Sequence, residues 1–161
     1  MRGNGVRGSE VTRGVAAAAL ALAAACHHAA PPPAAPVPAP AAAGPSLYQR
    51  LGGLDAIRAV VNDFDARIDA DPRISAFFKG LDEADFKAKL TDQICAATGG
   101  PCRYTGRTMK EAHAQLNVTN ADFDALVEDL AASLDHFHVG AREKSELLGM
   151  LGRMRRDIVT R

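Results

Sequence analysis

The sequence lacks a net charge: 19 lysines and arginines balance 19 aspartates and glutamates over 161 residues. That balance gives no electrostatic case for a nucleic-acid partner. It also lacks an apolar run long enough to cross a membrane. The run from Val15 to Ala25 is about 11 residues, where a spanning helix needs about 20. Zinc-ligand spacing is missing too. His136 and His138 lie two apart, and no Cys or His pair sits at helical i, i+4 spacing, so a four-ligand zinc site is poorly supported. Strand-like alternation and internal repeats are absent, which leaves helices as the building material. The length allows one domain.

The two ends of the chain differ in composition. Arg2, Arg7 and Arg13 form a basic head, and the apolar stretch behind them ends in small residues, so residues 1–26 read as a secretory signal. Leu20-Ala21-Leu22-Ala23-Ala24-Ala25-Cys26 resembles a bacterial lipobox, with Ala23 where leucine is usual and Leu22 one step earlier. Two readings stand: Cys26 is lipidated after cleavage, or the signal is an ordinary one and Cys26 is incidental. A lipidated Cys26 holds the mature protein on a membrane from its outer, periplasmic or extracytoplasmic face, each buried methylene contributing roughly 0.8 kcal/mol. Residues 27–45 follow as a tether, almost entirely Ala and Pro from Ala29 onward. Proline at this density cannot continue a helix, and nothing there can build a core. His27 and His28 at its root read as a solvated pair rather than a metal site.

Residues 46–161 carry the helical signals. Ile57, Val60, Val61, Phe64 and Ile68 recur at three- and four-residue spacing, predicting a helix over about 54–70 that stops at Asp71-Pro72. A short apolar piece, Ile74 to Phe78, ends at Gly80. Asp82 caps a helix with an inner stripe of Phe86, Leu90 and Ile94, closed by Gly99-Gly100-Pro101. Thr119 caps a longer one with Phe123, Leu126, Val127, Leu130 and Leu134 inward and Asp122, Asp124, Glu128 and Asp129 outward or near its start. The last, about 141–159, has Glu143 and Glu146 early and Arg153, Arg155 and Arg156 late, which complements the helix dipole. The domain is expected to be all-α.

The most telling stretch is Thr108-Met109-Lys110-Glu111-Ala112-His113, just after the loop Gly99-Gly100-Pro101-Cys102-Arg103-Tyr104-Thr105-Gly106. Thr108 and Glu111 are spaced as a capping box, so a helix begins there. Met109, Ala112, His113 and Leu116 then share one face, aiming His113 at an apolar interior. By residue chemistry alone two readings remain: a hydrogen-bonded core histidine, or a ligand to a metal or cofactor iron.

Several landmarks occur in a fixed order across nearly the whole domain. They are Leu47-Tyr48 with Leu51-Gly52-Gly53, Ala70-Asp71-Pro72-Arg73, Phe77-Phe78, Gly99-Gly100-Pro101 with Tyr104-Thr105-Gly106, and Met109 followed by His113. Together they make residues 46–161 resemble a group I truncated haemoglobin, the short two-over-two globin. The resemblance implies a two-over-two helical sandwich around non-covalent haem b (iron protoporphyrin IX), with His113 as proximal iron ligand. The Cys-x-x-Cys-His needed for the usual covalent haem attachment is missing. Phe78 would pack on the macrocycle, and Phe86 and Leu90 would line the distal side. Met109, Leu116, Val118, Phe123 and Val127 would surround the proximal side.

The departures concern the distal side. Where many members have a tyrosine after the residue matching Phe64, this chain has Asp65. Where a glutamine donor often lies, it has Leu90. Dioxygen draws negative charge when it binds ferrous haem and gains from a nearby donor, whereas an ionised aspartate only accepts. Asp65 therefore either is buried and protonated, its pKa raised by desolvation, or turns outward as a solvated residue; the outward placement is the expectation taken here. Gln93, one turn beyond Leu90, is the alternative donor. Helix 83–97 has no histidine, so bis-histidine ligation is not expected. Cys95 and Cys102 bracket the glycine loop, and export permits a disulfide between them if their Cα atoms approach within about 7 Å.

The function implied is reversible binding of a diatomic gas, namely oxygen, nitric oxide or carbon monoxide. Nitric oxide dioxygenase or peroxidase-like activity is secondary, and the former needs a separate reductase. The contrasting reading is a haem-free helical interaction module of the cell envelope.

Overall fold

A computed structural model describes residues 44–161. The signal segment, Cys26 and all but the last two residues of the tether lie outside the described residues. Among the described residues six α-helices run in order: α1 (Leu47–Arg50), α2 (Gly53–Ala70), α3 (Glu83–Ala97), α4 (Met109–His113), α5 (Asn120–His136) and α6 (Ala141–Ile158). A 3-10 turn, Ser75–Phe77, takes the place of the short apolar piece between α2 and α3. No strand occurs among the described residues.

Helix α2 is the centre of the fold, packing on α3 along one side and on α5 along another, while α6 covers α5 and α4. Ile57, Val60, Val61, Phe64 and Ile68 on α2 are all buried, as their spacing requires. They meet Ile94 and Cys95 of α3, Leu130 and Leu134 of α5, and Leu147 of α6 in the main core. A second apolar cluster forms from Val118, Phe123 and Ile158, with Phe77, Met109, Val127 and Met154 packed against it.

Local chemistry sets the helix starts. Asp82 accepts from the Asp85 amide at 2.9 Å, and Thr108 with Glu111 and Thr119 with Asp122 form reciprocal capping boxes. Gly52 lies at φ +95°, in the left-handed region where L side chains are strained, and turns the chain from α1 into α2. Helix α1 was not expected from the sequence. It is four residues long, held by its own Ser46–Gln49 capping box. Arg50 then ties it to α6, donating to Glu143 at 3.0 Å and to Glu146. A backbone hydrogen bond at its own position, followed by the Arg50 pairing, holds the Glu143 carboxyl below its ordinary value.

Two inner faces differ from the expected stripes. On α3 the fully buried residues are Thr91, Ile94 and Cys95, with Phe86 and Leu90 half-buried at the margin. On α5 Asp129 is not outward: its Oδ2 is buried without a hydrogen-bond partner among the described residues. Burial and the negative charge of Asp71 push its carboxyl up, partly offset by Arg73 and Arg67.

Candidate functional site

The glycine loop that joins α3 to α4 is tied down near both of its ends. Cys95, at the end of α3, is bonded to Cys102 within the loop, with Cα atoms 5.7 Å apart. Inside that ring the Gly100 amide donates to the Cys95 carbonyl at 2.8 Å. A Cβ on Gly100 would stand 2.5 Å from Tyr48 Cδ2 and 2.7 Å from Cys95 Sγ, so only glycine fits. The loop is thereby fastened to both α1 and α3 before it reaches Thr108. Tyr104 adds a further tie, its hydroxyl donating to the Arg107 carbonyl at 2.7 Å.

The Thr108 box starts α4, and the helix lasts five residues. His113, half-buried, closes it. Its Nδ1 lies 2.7 Å from the Met109 carbonyl. A carbonyl only accepts, so Nδ1 carries a proton; in the neutral ring that leaves the lone pair on Nε2, which has no partner among the described residues. Such a nitrogen is suited to bind an iron, and the backbone bond fixes the ring as outer partners of metal-bound histidines do.

Around it, Met109, Val118, Phe123 and Val127 come together in one apolar cluster. Arg155 covers the Phe123 ring at 4.3 Å from its centroid. The chain end is pinned by the Thr160 amide donating to the Val118 carbonyl at 2.9 Å. Leu116 does not join them. Helix α4 ends before it, so the helical face that was to carry it inward is broken, and it is 38% exposed.

Phe78 and Phe86 meet edge to face with ring centroids 5.3 Å apart. A cavity of about 60 Å³ runs inward, lined by Phe64, Leu90, Ile94, Phe123, Leu126, Val127, Leu130, Leu151 and Ile158. Every lining residue is apolar. Gln93 does not face this cavity. Its amide donates to the sulfur of Met109 at 3.2 Å and approaches that of Met154 at 3.8 Å, bridging α3 to α4 and α6.

Asp65 is the clear correction. It is 8% exposed rather than solvated, because its neighbour Phe64 takes the cavity-facing position and the helical turn carries Asp65 toward α3. There its carboxylate lies 3.6 Å from the Lys87 ammonium, which Glu83 also binds. Burial pushes the Asp65 carboxyl up; Lys87 opposes this, and the charges of Glu83 and Asp69 reinforce it. Sequence reasoning missed Lys87 and Glu83. Their signal, an i, i+4 acid–base pair on α3, is common on solvated faces and does not announce a partner on α2.

Residues 46–160 match the family of bacterial-like globins. A group 1 truncated hemoglobin from Tetrahymena pyriformis is 35% identical over 114 residues, spanning 71% of this chain and 94% of that protein. The chain belongs to the truncated globins. The group 1 truncated hemoglobin GlbN of Mycolicibacterium paratuberculosis is 36% identical over 71% of this chain and 85% of its own length. The crystal structure of the Tetrahymena pyriformis truncated hemoglobin in the Fe(III) form superposes with a TM-score of 0.70 at 34% identity, covering 73% of this chain and all of that one.

As a truncated globin the chain has the two-over-two fold, carries non-covalent haem b and binds diatomic gases. Its own residues fit that group: an Nε2 on His113 without a partner among the described residues, an apolar cluster that includes Met109 of the same helix, and half-buried aromatic rings at Phe78 and Phe86.

Proposed function

We propose that this truncated globin works outside the cytoplasm, anchored to a membrane through Cys26, with His113 as its proximal iron ligand and an apolar distal side receiving the gas. The observation that carries the iron assignment is the Nδ1 bond to the Met109 carbonyl, which leaves Nε2 available. Phe78, Phe86 and Leu90 are assigned to the distal side, and Met109, Val118, Phe123 and Val127 to the proximal side. Haem supplies a ferrous iron that exchanges a small neutral gas. His113 would hold the iron, the apolar side chains would exclude water, and the Met109 carbonyl would fix the imidazole tautomer.

The extracytoplasmic placement is supported by the lipobox-like segment and by the Cys95–Cys102 disulfide, a bond that persists in oxidising compartments. Turnover of nitric oxide would draw electrons from a separate reductase.

The test is haem titration of the full-length protein, wild type against His113→Ala. A stoichiometric Soret band in the wild type that shifts and loses intensity in the variant supports His113 as ligand. Identical spectra overturn the assignment, and no stoichiometric uptake by the wild type returns the chain to a haem-free interaction module. Anchoring is read separately: membrane association of the native protein, lost in Cys26→Ser, is expected. Equal release of both proteins into the soluble fraction overturns it.

A further inference from the structure

Resting on the membrane-anchored reading above, we infer that α4 and the C-terminal end of α6 together form a basic face that lies against an anionic lipid surface.

The balanced total conceals a separation of charge. Residues 99–117 and 149–161 hold seven lysines and arginines against two acids, Glu111 and Asp157, while residues 44–98 and 118–148 hold nine against sixteen. Ion pairing follows the same division. In the acid-rich part every cation but Lys79 is paired with a carboxylate. In the basic part only Arg155 is paired, with Asp124. Arg103, Arg107, Lys110, Arg153, Arg156 and Arg161 are all exposed and have no carboxylate partner among the described residues.

The two basic stretches meet in the fold. Met109, Met154, Ile158 and Val159 belong to one apolar cluster, and the Gln93 amide reaches the sulfurs of both methionines. Past α4, the Val118 carbonyl accepts from the amides of Thr160 and Arg161, at 2.9 and 3.2 Å. Leu116, two residues before that carbonyl, is 38% exposed. Unpaired cations around an exposed leucine are the composition of an interfacial surface. The cations meet lipid phosphates, and the apolar side chain enters the headgroup boundary.

The length of chain before the domain favours a membrane as the occupant. Helix α1, next after the tether, is bonded through Arg50 to Glu143 and Glu146 near the start of α6, a helix of 18 residues and so about 27 Å long. The tether thus joins far from the basic end. Residues 27–45 span about 65 Å at full extension, so an anchor at Cys26 leaves either end able to reach the bilayer, and charge selects the end. Lipid phosphates repel the acid-rich part and attract the basic face. Tethering raises the effective concentration at the surface, so a weak attraction suffices. This orientation brings α4, with His113, close to the hydrocarbon in which apolar gases dissolve more readily than in water.

The test begins with residues 27–161, without the signal segment and Cys26. The match to the crystallised Tetrahymena pyriformis globin covers all of that chain and 73% of this one, so the fold is complete without that segment. Binding is measured by sedimentation with vesicles of phosphatidylcholine alone and of equal parts phosphatidylcholine and phosphatidylglycerol. Each lysine or arginine at an anionic surface corresponds to about fivefold in affinity. The wild type should bind the mixed vesicles at least about a hundredfold more tightly than the neutral ones, and lose that preference in about 1 M salt. Lys110→Glu/Arg153→Glu/Arg156→Glu should lose about a hundredfold on the mixed vesicles. Arg58→Glu/Arg142→Glu/Lys144→Glu makes the same change of net charge in the acid-rich part and should lose less than about threefold. Equal binding of the wild type to both vesicles, or equal losses in the two triple variants, overturns the inference and leaves an acidic protein as the fit for this face. If the first triple variant does not fold, Arg153→Gln/Arg156→Gln decides: a loss of about twenty-fivefold is expected, and no loss overturns it. In the full-length anchored protein, amide hydrogen exchange of residues 109–118 should be slower on mixed than on neutral vesicles, and equal exchange also overturns it. Failure of the full-length protein to stay on either vesicle refutes the anchoring reading instead, while binding by residues 27–161 still decides the basic face.

Discussion

His113 donates its Nδ1 proton to the carbonyl of Met109, four residues earlier, at 2.7 Å. The bond spans the whole of α4, so the orientation of the imidazole depends on a helix of five residues. A helix this short does not sustain itself in water. Its geometry rests on the cap at Thr108, the packing of Met109, and the fastened loop before it.

Thr108→Ala removes the hydroxyl that accepts from the Glu111 amide at 3.2 Å. Loss of such a cap costs about 1 kcal/mol, here concentrated on the segment that orients His113. Haem should leave the variant several-fold faster, measured by transfer to an excess of a haem-free acceptor globin, with only a small drop in global thermal stability. An unchanged transfer rate would mean that packing alone holds α4.

The disulfide acts on the same segment from the other end. In the chain-entropy account, closing a loop this short between Cys95 and Cys102 contributes about 2–3 kcal/mol by restricting the unfolded chain. Cys95→Ser/Cys102→Ser should lower the unfolding free energy by that amount, seen as a lower urea midpoint at constant slope. Treating the wild type with a dithiol reductant should lower it similarly. Equal midpoints for oxidised and reduced wild type would show that the loop is held by Tyr48 and the Gly100 amide without the bond.

Gly100→Ala tests that second hold. The added methyl would meet Tyr48 Cδ2 at 2.5 Å and the backbone oxygen of Cys95 at 2.8 Å. Cys95 is fully buried and cannot yield, so the backbone must move. Overpacking of this kind costs about 1–3 kcal/mol. The melting temperature should fall, whereas Gly149→Ala, with nothing within 4 Å of its added carbon, should be neutral or slightly stabilising. A neutral Gly100→Ala would show that the loop has room to shift.

The parts legible in the sequence are those governed by local chemistry. The capping boxes at Thr108 and Thr119 formed because their partners lie three residues away. The inward stripe of α2 followed from its own periodicity, and the order of landmarks identified the fold. What escaped depends on distant partners. Asp65 is buried because Lys87, 22 positions further on and on another helix, meets it there. Leu116 was placed inward by extending a helical face that the chain abandons after His113. Helix α1, at four residues, is too short to show any period. The proximal half of the site is built from neighbours in sequence, the distal half from an interface between helices, and legibility divides along that line.

Asp129 gives a pH prediction with a definite sign. Its carboxyl is pushed above the ordinary aspartate value, first by burial and then by the charge of Asp71. Asp71 is itself held low by its hydrogen bonds to the Arg73 side chain and backbone. A carboxyl whose folded value exceeds its unfolded value costs stability when ionised, and that cost disappears as pH falls through the folded value. Asp129→Asn removes the charge at every pH and places an amide donor beside the Asp71 carboxylate. The variant should therefore melt a few degrees above the wild type near neutral pH. The difference should shrink on acidification and vanish once Asp129 of the wild type is protonated. Asp71 runs the opposite way: its contribution is full above the ordinary carboxylate value and is lost below its lowered one. Acidification thus relieves Asp129 before it releases Asp71 from Arg73. Melting curves of the two proteins from about pH 4 to pH 8 decide the matter. An Asp129→Asn protein less stable than wild type at neutral pH would mean that the ionised carboxylate is held by Arg67 and Arg73 more strongly than burial and Asp71 oppose it.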